Sequence, residues 1–218
     1  MTKTKILLVD DHPLVREWLT NLINQQSDMV VCGEAEGASH ALSVIASSRP
    51  DLVVVDLSLK AGSGIELIKN LKELHPGLLA LVLSMHDESL YAERALRAGA
   101  RGYVMKREVT KNIITAIRQV LAGQLHVSDR MAARIANKYA GAPPVTTESP
   151  VTLLSDRELE VFQFLGQGRE TKQIAETLHL SMKTVQAYCA RIKDKLKLAN
   201  ATELLREAIR WEDHRNRV

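Results

Sequence analysis

Along the first 125 residues, short apolar runs at 5–9, 29–34, 52–55, 78–83 and 102–105 alternate with segments whose apolar positions recur at helical spacing. Runs of this length, rich in valine and leucine, predict β-strands, and the segments between them predict helices. Val53, Val54 and Val55 are apolar without alternation, as in a parallel sheet covered on both faces. The pattern therefore predicts an α/β fold with a doubly wound five-stranded parallel sheet. In such sheets ligands bind beyond the carboxyl ends of the strands, so polar residues placed there become candidates for chemistry.

The pattern changes after the fifth run. A helix is predicted at 127–139, followed by a segment from Ala140 to Pro150 that holds Gly141, Pro143 and Pro144 among polar residues, a composition suited to a flexible linker. Beyond it no strand pattern occurs, and helices are predicted at 155–166, 171–178, 182–197 and 202–211. Ser155 with Glu158 has the spacing of a capping box, and Gly166 and Gly168 supply stop signals. The expected organisation is an α/β domain at 1–125, a helix and flexible linker at 126–150, and a small all-α domain at 151–218.

Composition changes this picture little. The 218 residues are 45% hydrophobic and 25% charged, which fits a chain able to bury a core and excludes disorder as the default. A net charge of +3 tilts only slightly toward anionic partners. Cys32 and Cys189 are too far apart in sequence for a disulfide framework, so a reducing compartment is the better reading. The first apolar run is too short for a signal peptide and ends in Asp10, Asp11 and His12. No run reaches the ~20 apolar residues that span a bilayer, and a cytoplasmic location is expected.

Chemistry gathers at the strand ends. Asp10 and Asp11 follow the first run and Asp56 follows the third, while Ser84 ends the fourth and Lys106 follows the fifth. Three carboxylates on one sheet edge repel one another unless a cation intervenes, and an all-oxygen site beside a phosphoryl group suits Mg²⁺. A carboxylate can accept that group as a mixed anhydride if a metal and an ammonium offset the charge on the transferring oxygens. Any one aspartate after a strand serves as often as a turn former, but five such residues along one series point to a site. Met85, His86 and His12 have no zinc-ligand spacing and are expected to be loop residues, with Gly62 and Gly64 forming a turn.

The run from Ile6 to His12, Val55 to Leu59 with Gly64, then Ser84, and Tyr103 to Lys106 together resemble the receiver domain of response regulators, a flavodoxin-like fold. The resemblance implies that Asp56 is the phosphoacceptor. It implies that Asp11, Asp56 and the Ser58 main-chain carbonyl hold Mg²⁺ with support from Asp10. Ser84 would be the hydroxyl that turns toward the phosphoryl group, Tyr103 the aromatic switch that moves with it, and Lys106 the lysine that pairs with phosphate. Lys60 and Arg107 stand where many members carry proline.

In the second domain, helices at 171–178 and 182–197 separated by His179-Leu180-Ser181 have helix-turn-helix proportions. The second carries Lys183, Gln186, Tyr188, Arg191, Lys193, Lys195 and Lys197 against an apolar stripe of Val185, Ile192 and Leu196. Leu154 to Glu158, Gly168, Gln173 to Ala175, Leu178, Ser181, Lys183 to Val185, Ile192 and Lys195-Leu196 resemble the LuxR-type helix-turn-helix of the NarL/FixJ group. The resemblance implies that Lys183, Thr184, Gln186, Ala187, Ala190 and Arg191 enter the major groove, with Lys172 and Lys193 on phosphates. It also implies a sensor histidine kinase as partner, a homodimer on phosphorylation, and inverted half-sites on DNA. Members often carry a basic residue at 186 or 190 and histidine at 188.

The combined reading is a two-component response regulator rather than an enzyme. The alternatives are a regulator whose unphosphorylated receiver answers to partner binding, a phosphatase using Asp56 as covalent nucleophile, and a plain structural DNA-binding protein. The first is disfavoured by the complete acidic set with Lys106, the second by the absence of an added acid, and the third by the nearly balanced charge of the α/β half.

Overall fold

Strand formation follows burial. Leu52–Val55 is fully enclosed, with Leu52, Val53 and Val55 at 0% exposure, and it lies at the centre of a five-stranded sheet. The computed structural model describes residues 3–59, 63–140 and 150–216. Lys60, Gly62 and the expected linker at 141–149 lie outside the described residues. The chain divides into two units, Met1–Gly141 and Ala142–Val218.

In the first unit β1 (Thr4–Val9), β2 (Met29–Ala35), β3 (Leu52–Val55), β4 (Leu79–Ser84) and β5 (Gly102–Met105) are all parallel. Each lies within a residue of its expected position. The helices between them are α1 (Pro13–Asn24), α2 (Ala38–Ser48), α3 (Gly64–Leu74) and α4 (Glu88–Ala98), and α5 (Val109–Leu121) follows β5. Side chains alternate across a strand. Ile6, Leu8, Leu52, Val54, Leu81, Leu83 and Val104 therefore meet Leu19 and Ile23 of α1 and Ile113, Ala116, Ile117 and Val120 of α5. Each such leucine or isoleucine contributes about 1.5–3 kcal/mol by leaving water.

β1 pairs with β2 on one side and β3 on the other, so the strand order reverses between β1 and β3. That reversal opens a crevice at the carboxyl ends of these two strands, and Asp10, Asp11 and Asp56 stand there. Gly64 begins α3 so close to β3 that a Cβ would lie 2.1 Å from the Asp56 carbonyl oxygen. Only glycine lets this helix start directly above the strand end.

The unit does not end with α5. Residue His126 bridges to Gly102 in parallel sense, donating its N–H to the Arg101 carbonyl (3.1 Å) and accepting from the Tyr103 N–H (2.8 Å). This covers the free edge of β5. Ser128 then caps α6 (Asp129–Tyr139), accepting from the Met131 N–H. Ser128 also donates through its N–H (2.8 Å) and its hydroxyl to the buried Glu88 carboxylate, and Arg134 donates to the Ser89 carbonyl at 2.9 Å. These bonds and the buried Met131 fasten α6 to α4.

The second unit opens with a 3₁₀ turn, Pro150–Leu153, and holds α7 (Asp156–Gly166), α8 (Thr171–Thr177), α9 (Met182–Leu196) and α10 (Ala201–Asn216). The capping box at Ser155 and Glu158 is formed. Leu159, Phe162, Ile174, Val185, Ile192, Leu204 and Ala208 make its core, with the Phe162 and Trp211 rings 5.7 Å apart. Among the described residues no helix is long and apolar enough to cross a membrane.

Candidate functional site

Five strand-end residues converge on the sheet's carboxyl edge, as their order along the chain requires. Asp10 and Asp56 are 3% exposed and Asp11 9%. The Lys106 ammonium lies 2.7 Å from both Asp10 Oδ2 and Asp56 Oδ2. Asp56 Oδ1 accepts the Ser58 N–H at 3.3 Å, and the Asp56 N–H donates to the Val9 carbonyl, which ties the third strand end to the first. Ser84 is fully buried, and its hydroxyl accepts the His86 N–H at 3.3 Å. Tyr103 is buried, with its hydroxyl donating to the His86 carbonyl at 3.0 Å.

Burial pushes the Asp56 carboxyl above the ordinary carboxylate range; Lys106 opposes that push, Asp10 adds to it, and the Ser58 N–H opposes it. Burial works to lower Lys106 as well, but Asp56 and Asp10 hold it above its usual value, so it stays an ammonium. Burial also raises the Tyr103 phenol, which keeps its proton and acts as a donor. Three carboxylates face one ammonium, and a second cation here would favour the carboxylate form of Asp56.

The donor set fits such a cation. Ligand atoms of Asp10, Asp11, His12 and Asp56 all lie within 4.8 Å of one another. Asp10 Oδ2 and Asp11 Oδ1 are buried, the first 2.7 Å from the Lys106 ammonium and the second 2.8 Å from His12 Nδ1. One ammonium among three buried carboxylates leaves a desolvation penalty that a metal ion would offset.

Two residues that sequence reasoning left as plain loop positions sit at this edge. His12 places Nδ1 2.8 Å from Asp11 Oδ1 and 3.1 Å from Asp10 Oδ1. His86 places Nε2 2.8 Å from the Ser58 hydroxyl, and its ring stacks on Tyr91 with centroids 4.4 Å apart. Neither has a spacing signal. Met85 is 75% exposed, and Arg107 lies exposed in a 3₁₀ turn after β5.

In the second unit α8 and α9 are joined by a turn in which His179 has φ 53° and the Leu180 N–H reaches the Ala175 carbonyl. Ser181 caps α9, its hydroxyl accepting the Thr184 N–H at 3.0 Å. Val185 and Ile192 are buried, which turns Lys183, Gln186, Ala187, Ala190 and Arg191 outward; all five are exposed, as is Lys172 on α8, while Thr184 and Lys193 are half-buried. Arg191 lies 5.6 Å from the Tyr188 ring. Lys195 departs from the expected basic face, for its ammonium turns back to the buried Glu158 carboxylate at 2.6 Å. A buried carboxylate attracts a lysine within reach more strongly than solvent does.

A doubly wound sheet with an acid-lined edge, followed by a helix-turn-helix unit, defines a signal-responsive regulator. Residues 6–118 match the response regulator receiver domain, and residues 152–208 match the luxR family of bacterial regulatory proteins. The chain belongs to the two-component response regulators that carry a LuxR-type output unit. It is 33% identical over 210 residues to the oxygen regulatory protein NreC of Staphylococcus carnosus, covering 94% of this chain and 97% of that protein. Among solved structures, a LuxR-family two-component response regulator from Aurantimonas sp. SI85-9A1 is 35% identical with a TM-score of 0.58, over 64% of this chain and 99% of that one. The RcsB response regulator of Salmonella typhimurium is 25% identical with a TM-score of 0.65, over 95% of this chain and 98% of that one.

Proposed function

We propose that Asp56 accepts a phosphoryl group from a sensor histidine kinase or a small phosphodonor, and that this controls dimerisation and DNA binding in the cytoplasm. The observation that carries the reading is Lys106, held 2.7 Å from both Asp10 and Asp56 at an edge where charge must be offset before phosphate can enter. An Asp56 carboxylate oxygen attacks phosphorus while the bond to the donor's nitrogen or oxygen breaks and its electron pair leaves with the donor. Lys106 then moves its charge from the carboxylates to the phosphoryl oxygens. Mg²⁺, held by Asp11, Asp56 and the Ser58 carbonyl with Asp10 in support, would offset charge on those same oxygens. Ser84 and Tyr103 serve as the switch, both bound in the resting chain to the backbone of His86.

Output follows from the exposed face of α9. Lys183, Thr184, Gln186, Ala187, Ala190 and Arg191 enter a major groove, where Gln186 can pair with an adenine edge, while Lys172 and Lys193 contact phosphates. Free amides at the Ser181-capped start of α9 favour a phosphate as well. A homodimer would present two such helices to inverted half-sites. Intact-mass measurement after incubation with acetyl phosphate and Mg²⁺ tests the first step. A gain of about 80 Da that Asp56→Asn abolishes is the expected result. No gain with any donor would favour control by partner binding instead.

A further inference from the structure

We propose that Tyr188 is a positioning residue for Arg191, aiming its guanidinium at the O6 and N7 edge of a guanine, so that the pair sets base specificity at one position of each half-site. The inference deepens the DNA-binding reading above and rests on it. At about 100° of turn per residue, Lys183, Ala187 and Ala190 lie near the middle of the exposed face of α9, and the buried Val185 and Ile192 lie opposite them. Arg191 falls at one flank of the exposed face, and the half-buried Tyr188 falls between that flank and the core.

The guanidinium carbon of Arg191 lies 5.6 Å from the Tyr188 ring centroid, within the range of a cation–π contact. A helical side chain leans toward the preceding turn, which carries Arg191 over residues 187 and 188. The ring blocks the way back toward the core. The open way runs across Ala187 and Ala190, whose methyl groups leave the floor of a groove within reach of a long side chain. Among the described residues of the helical unit, Arg157, Arg169 and Arg210 donate to oxygen acceptors, whereas the contact of Arg191 is with a ring. A ring contact consumes none of the N–H groups, so the fork stays available for two parallel acceptors. In the major groove, guanine is the base that offers such a pair, O6 and N7.

The test uses the full chain with acetyl phosphate and Mg²⁺. The wild type first selects an operator from random duplexes. 7-Deazaguanine, which keeps base pairing but lacks the N7 acceptor, then replaces each guanine in turn. One guanine per half-site is expected at which this replacement weakens wild-type binding about tenfold and Arg191→Ala binding not at all. Tyr188→Leu should cut that discrimination about threefold while leaving the other positions as in the wild type, and Tyr188→Phe, which keeps the ring, should match the wild type. A loss in Arg191→Ala that is uniform across sequences marks a phosphate contact and overturns the guanine assignment. Full discrimination in Tyr188→Leu, or its loss in Tyr188→Phe, overturns the role of the ring. If the wild type selects no operator, the DNA-binding reading falls and the inference with it; if it selects one that no 7-deazaguanine weakens, the inference alone falls.

Discussion

The acidic edge and the α9 face bear charge in opposite ways. At the edge, four groups from three strand ends are nearly sealed from water, and Lys106 is shared between Asp10 and Asp56. On α9 one helix supplies most of the candidate contacts, and most of these side chains are exposed. Low dielectric and shared partners make the first region cooperative, so removing one member disables the rest. Screening and separation make the second additive. On the proposed function, the buried site would act as a switch because it fails as a whole, whereas the exposed face would grade affinity residue by residue.

The largest effect that would sharpen this contrast is expected from Lys106→Met. Phosphate uptake should fall by on the order of a hundredfold, read by intact mass against time. Because two buried carboxylates lose their partner, urea unfolding should also show a loss of about 3 kcal/mol. Survival of both properties would break the comparison at its stronger end. On α9, Arg191→Ala or Gln186→Ala should weaken binding to a selected operator about tenfold, the size of one base-edge contact. Lys172→Ala should weaken it by less, uniformly across sequences, and should reduce the salt-dependence slope by about 1. A hundredfold loss from Lys172→Ala would make the α9 region cooperative too.

How much of this was legible in the sequence differs between the same two regions. β1, β3, β4 and β5 could be read because largely buried parallel strands leave short apolar runs, β2 despite being mostly half-buried, and the strand-end residues Asp10, Asp11, Asp56, Ser84 and Lys106 then fell on one edge by topology alone. His12 and His86 could not be read. The Ser58–His86 bond spans 28 residues, and a single histidine in a loop carries no period that marks it. The basic stripe of α9 was legible as composition, but the direction taken by Lys195 was set by Glu158, 37 residues away. Arg118 stays half exposed while reaching Asp28, 90 residues away.

The smallest effects concern Glu158, which couples these levels. Burial alone would raise its carboxyl, yet Lys195 and the Ser155 groups hold it below the usual glutamate range. A carboxyl depressed in the folded state contributes stability above its unfolded value, and that contribution is lost as pH falls through the folded one. The helical unit of the wild type should therefore lose stability on acidification below the ordinary glutamate range. Glu158→Gln should start about 1 kcal/mol less stable, mainly from the weakened cap since Lys195 is partly exposed, and should show a shallower acid slope. Thermal melts at several pH values would show this, and parallel slopes for the two proteins would break the assignment.

The short pairing of His126 with β5 bears on how the α/β unit survives outside its full chain. A strand at the end of a sheet offers a row of unmet N–H and carbonyl groups, a template for another molecule's backbone. Here the Arg101 carbonyl and the Tyr103 N–H are already taken by His126, and the Glu88 carboxylate by Ser128. A fragment stopped at residue 118, where the receiver match ends, would bare that edge and strip a buried acid of its donors. Strand-to-strand aggregation is what such a truncation invites, and retaining residues through Tyr139 is the remedy that the fold itself supplies.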